Sequence, residues 1–171
     1  WFSAADASAG REVWTSDGTA SGSSRVADIA SGSASSSPRS FTAVGQEVFF
    51  VANDGTNGFE LWKSDGTSAG TQLVKDIHAK SSSNPLELTR LADKLLFSAA
   101  TEKEGRELWI SDGTAMGTTL VDDLLPGVPG SNPIQLVPHG RRIVFSAFVS
   151  GTTGRELFET DGTAQGTKLF K

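Results

Sequence analysis

The chain has no cysteine and no tyrosine, one methionine and two histidines among its 171 residues. Without cysteine there is no disulfide, no thiol nucleophile and no cysteine-based zinc site. No apolar run approaches the ~20 residues needed to cross a bilayer as a helix. Positive charge is also short: the net charge is −5, whereas a nucleic-acid binder usually shows a basic face. The only adjacent basic pair, Arg141–Arg142, fits a solvated turn. There is no initiator methionine or signal peptide; the chain opens at Trp1 and reads as a mature form or a fragment.

What the chain does have is repetition. The phrase ELWKSDGTSAGT at Glu60–Thr71 recurs as EVWTSDGTASGS at Glu12–Ser23, ELWISDGTAMGT at Glu107–Thr118 and ELFETDGTAQGT at Glu156–Thr167. The Asp-Gly-Thr triplets are Asp17-Gly18-Thr19, Asp65-Gly66-Thr67, Asp112-Gly113-Thr114 and Asp161-Gly162-Thr163, stepping by 48, 47 and 49 residues. A step of that length is the mark of a repeat architecture. We frame the repeats as residues 1–48, 49–95, 96–143 and 144–171, the last incomplete, within a single repeat domain.

Each repeat holds four strand-like pieces. In one phase these are Phe49–Ala52, Phe59–Lys63 and Gln72–Ile77, with a post-proline piece, Leu86–Leu91, as the weakest signal. Such short apolar or β-branched runs between turn residues predict strands, and none is long enough for a helix. Four antiparallel strands in 40–50 residues make one β-propeller blade. The expected fold is therefore all-β: a propeller-like array of about four four-stranded antiparallel blades. In the first three repeats an Asp lies 11 residues after the turn Asp, at Asp28, Asp76 and Asp123, while the fourth equivalent would be position 172. Fifteen pieces are counted where four whole blades need 16. This favours part of a larger propeller; a closed four-bladed propeller is the alternative.

The phrase resembles the bacterial ELWxxDGT-repeat family over essentially the whole chain. Departures are Val13 for Leu, Phe158 for Trp and Ser23 for Thr. The resemblance implies large exported or cell-surface proteins with propeller-like repeats. It implies no reaction or ligand.

The motif also makes sense as turn chemistry. The Asp can accept from backbone N–H groups two residues on, the first Gly can take a positive φ, and the Thr hydroxyl can close the turn. The second glycine, Gly70 and its equivalents, would permit a further bend. The aromatic, Trp62 and equivalents, offers a surface to lock neighbouring blades. Glu12, Glu60, Glu107 and Glu156 lie two residues before that aromatic, on the same strand face, and need hydrogen-bond partners there. Turn N–H groups, threonines, or the arginines at 11, 106 and 155 are candidates; Phe59 replaces the arginine in the second copy.

Residues that follow the repeat read as scaffold, so no catalytic residue and no metal ligand is assigned. Calcium needs six to eight oxygens, and each turn offers one Asp, so a Ca2+ role is a minor alternative and no cofactor is expected. Glycoside hydrolysis needs two carboxylates facing each other across a sugar. The Asp-Gly-Thr turn resembles in outline the Asp-box of sialidase-type propellers, but spacing and flanking aromatics differ. No nucleophile context accompanies His78 or His139. The binding candidates are positions where the copies differ: Asp54, Thr56 and Asn57; Glu102, Lys103 and Glu104; Thr152; and His139, which stands where other copies have Val44 and Leu91. The first three groups occupy one hairpin tip. The expected function is a non-catalytic, extracellular or cell-surface module for binding or adhesion to a glycan or surface protein, working with further repeats of a longer chain. The alternatives are a structural spacer and, third, a fragment of a propeller glycoside hydrolase.

Overall fold

The structure is a computed structural model that describes every residue except Ala7, Thr152, Thr153 and Lys171. Fifteen strands form among the described residues, and no helix. Among the described residues, no helix is therefore long and apolar enough to cross a membrane. The chain divides into two compact units, Trp1–Asn84 and Pro85–Lys171.

The first unit holds two antiparallel sheets. One is β1 (Phe2–Asp6), β2 (Gly10–Thr15) and β3 (Ser24–Ala27), in chain order. The other is β4 (Arg39–Val44), β5 (Glu47–Asn53), β6 (Phe59–Ser64) and β7 (Gln72–Lys75), again in chain order. The second unit holds β8 (Leu86–Leu91), β9 (Lys94–Thr101), β10 (Gly105–Ser111) and β11 (Thr119–Asp122), then β12 (Ile134–His139), β13 (Arg142–Phe148), β14 (Arg155–Thr160) and β15 (Lys168–Leu169). Each sheet is an up-and-down meander of blade size, in keeping with propeller-like blades.

Leu86–Leu91, the weakest strand signal, forms as a strand and pairs with the strand that follows it, Leu91 opposite Lys94. Three of the four sheets thus start just after a proline, and the sequence frame is offset from them by one strand. The strands β4, β8 and β12 carry a bulge at the same place, between Arg39 and Thr42, Leu86 and Thr89, and Ile134 and Val137. The residue inside each bulge, Ser40, Glu87 or Gln135, has a φ of 57–59°. The strand expected over Gln72–Ile77 stops at Lys75. Its last residue leaves the ladder because the Ile77 N–H donates instead to Glu60 Oε2 at 3.2 Å.

The inner strands bury both faces. Phe49, Phe50, Val51 and Ala52 alternate sides on β5 and are all buried. Such burial stabilises by about 1.5–3 kcal/mol for each large side chain. In the first unit Val13 and Val26 of one sheet pack with Phe50 and Ala52 of the next, and Trp62 closes against this cluster. In the second unit Leu96, Leu108, Ile110 and Val121 pack with Ile143, Phe145, Ala147 and Phe158.

Candidate functional site

The repeated turn is a closed hydrogen-bond circuit. Asp65 Oδ1 accepts from Thr67 N at 2.8 Å and from Thr67 Oγ1 at 2.7 Å. Thr67 Oγ1 in turn accepts from Gly70 N, and Thr67 O accepts from Thr71 Oγ1. Ser64 Oγ meets Thr71 Oγ1 and accepts from Gly66 N, closing the circuit. Asp17, Asp112 and Asp161 repeat the same bonds. Ser23 replaces Thr71 without loss, since its hydroxyl makes both bonds. The first glycine has the positive φ expected, 99° at Gly66. The second glycine is required for space rather than for a bend: a Cβ on Gly70 would lie 2.0 Å from Asp65 Oδ1. The Thr hydroxyl and N–H hold all four aspartates below the ordinary carboxylate value.

The glutamates of the phrase are tied differently from expectation. Glu12, Glu60 and Glu107 are fully buried, and their partners are serines of the loop leading to the next sheet. Ser36 N and Oγ donate to Glu12 at 2.9 and 2.5 Å, and Ser83 N and Oγ to Glu60 at 2.7 and 2.5 Å. Ser131 does the same for Glu107, with its N at 2.6 Å. Burial pushes the Glu60 and Glu107 carboxyls up, against the pull of these serines. The arginines look the other way. Arg11, Arg106 and Arg155 donate to the carbonyls of Ser3, Ser98 and Ser146 on the adjoining strand. In the second copy both members change together, to Phe59 and Val51, and the Arg39 guanidinium sits 4.1 Å over the Phe59 ring.

The varied hairpin tip of the second sheet forms a cleft of ≈ 330 Å³. Its walls are Asn53, Thr56, Asn57 and the facing loop Lys80, Ser81 and Ser82, with Gly55, Gly58 and Ala79 between. Asp54 does not line it. Its carboxylate accepts from Thr56 N, Asn57 N and Asn57 Nδ2 at 2.7–2.8 Å, and so holds the tip in shape. Burial works to raise the Asp54 pKa, but these N–H donors outweigh it and hold it below the usual value. Among the described residues, Thr56 Oγ1 and Ser81 Oγ have no bond within the chain, which leaves two hydroxyls facing solvent. The cleft has no aromatic wall and no pair of opposed carboxylates.

The other sequence candidates do not converge. Lys103 pairs with Glu104 at 3.2 Å, and Glu104 also accepts from Thr101 Oγ1. This pairing shapes their own tip, beside Glu102. His139 is exposed on β12, edge-on to Phe170 at 5.9 Å, with no acid or nucleophile bonded to it among the described residues. Thr152 lies outside the described residues. Among the described residues no group of three or more His, Asp or Glu is placed to hold a metal ion. Sequence reading missed the loop serines and the facing loop of the cleft. A signal existed for the first: Ser36, Ser83 and Ser131 each stand two residues before a proline, in phase with the repeat. Comparison with family models, with curated proteins and with solved structures returns no match.

Proposed function

We propose that this protein is a non-catalytic repeat module that binds a glycan or a protein partner; the location outside the cell or at the cell surface is what its resemblance to the bacterial ELWxxDGT-repeat family implies. The observation that carries this reading is the cleft at the β5–β6 tip. It is preformed, polar and hydroxyl-lined, and it lies where the four copies differ. A volume of ≈ 330 Å³ falls at the small end of ligand pockets, enough for a sugar unit. The four turn aspartates and three of the four repeated glutamates are committed to turns and loop ties, which supports a role without catalysis. Weak contacts of this kind gain strength when repeats present several together.

The test is glycan-array binding by the intact protein, beside a variant whose residues 54–57 are replaced by Gly-Ser. Binding lost in the variant supports the reading. No binding to any glycan or cell surface favours the second reading, a structural spacer, which the internal commitment of the acids also supports.

A further inference from the structure

Three of the four repeats share one device. A glutamate on β2, β6 or β10, the last two being the third strands of complete sheets, receives the N–H and hydroxyl of a serine in the loop that follows. The next residue's N–H bonds to the carbonyl just before the glutamate: Ser37 to Arg11 at 3.2 Å, Asn84 to Phe59 at 3.0 Å, Asn132 to Arg106 at 2.9 Å. The same loop closes over a glycine. A Cβ on Gly10 would be 2.0 Å from Ala34 O, on Gly58 2.5 Å from Ser82 Oγ, and on Gly105 2.5 Å from Pro129 C.

The fourth repeat carries the same glutamate with no loop serine on it among the described residues. Gly154, Arg155 and Glu156 stand in sequence as Gly105, Arg106 and Glu107 do. Glu156 is half-buried and has no hydrogen-bond donor among the described residues. Its neighbour Leu157 is 40% exposed, whereas the equivalent Val13, Leu61 and Leu108 are 0% exposed.

We propose that the Arg155 carbonyl and the Glu156 carboxylate form a docking site for a peptide segment of the form Ser-Asn-Pro or Ser-Ser-Pro. The serine N–H and Oγ–H cap the Glu156 carboxylate, the next N–H bonds to the Arg155 carbonyl, and the residues after proline cover Leu157. The middle residue must adopt a positive φ, as Ser37, Asn84 and Asn132 do at 44–53°. This explains Asn, or the small Ser, at that position. The occupant is argued from the three filled sites, and the site is independent of the tip cleft.

The experiment titrates the 15N-labelled protein with a synthetic peptide of residues 79–91, AKSSSNPLELTRL, and follows backbone amide shifts. Saturable shifts at residues 154–158 are expected. Replacing the serine of the peptide's Ser-Asn-Pro by alanine should weaken binding about tenfold or more, because the hydroxyl's hydrogen bond to a charged group is lost. Glu156→Gln in the protein should do the same. The alanine peptide leaves the protein untouched, so misfolding cannot mimic the result. Shifts unchanged by either substitution, shifts confined to other residues, or none at millimolar peptide would overturn the proposal.

Discussion

At the residue scale, Gly70 faces a carboxylate pinned by two donors from Thr67. Gly70→Ala must push that carboxylate off its hydrogen bonds, and a loss of about 1–2 kcal/mol is expected by chemical denaturation. An unchanged midpoint would mean that the turn is slack. Ser83→Ala removes the hydroxyl donor from the buried Glu60, leaving the backbone N–H in place, and should cost about 1–3 kcal/mol. Its pH dependence has a definite sign. Burial already raises the Glu60 carboxyl, so its contribution is full below the unfolded value and is lost as pH rises through the folded one. Removing Ser83 raises it further, so the variant's deficit in Tm should grow from about pH 4 to pH 7. The turn aspartates behave oppositely. Chiefly through the Thr67 hydroxyl, Asp65 is held low, so its contribution is present above the unfolded value and is lost on acidification. Asp65→Asn should flatten the acid side of the Tm profile.

At the element scale, the arginine–serine pairing across adjoining strands makes a prediction of its own. Arg106 donates to Ser98 O and Oγ on β9, while the second copy carries Phe59 and Val51 instead. Arg106→Phe alone strands a buried Ser98; the double variant Ser98→Val, Arg106→Phe should be less destabilised than the sum of the singles by about 1 kcal/mol. Strict additivity would mean that the two positions do not act as a pair. The strands themselves were legible in the sequence, because alternation and turn residues are local signals. So was the aspartate turn, whose circuit closes within eight residues of Ser64–Thr71. The glutamate ties were not. Their partners lie 23–24 residues away in serine-rich loops, where one serine looks like any other until the structure selects it. The end of β7 failed for the same reason: the Ile77 N–H is diverted by a carboxylate distant in sequence.

At the scale of the whole molecule, two sets of polar groups separate. Those that recur in phase hold turns and, in three copies, loops, while among those that vary Thr56 and Asn57 line a cleft at the β5–β6 tip. The repeat rhythm pointed to the turn residues, while the cleft depended on Lys80, Ser81 and Ser82 from a loop read only as a connection. The most direct test pairs two readouts on two variants: Tm and glycan binding, for the Gly-Ser replacement of residues 54–57 and for Ser83→Ala. The tip variant should lose binding with Tm nearly unchanged, and Ser83→Ala should lower Tm while binding persists below it. The reverse, binding lost with the serine tie and kept without the tip, would contradict the division of labour on which the account rests.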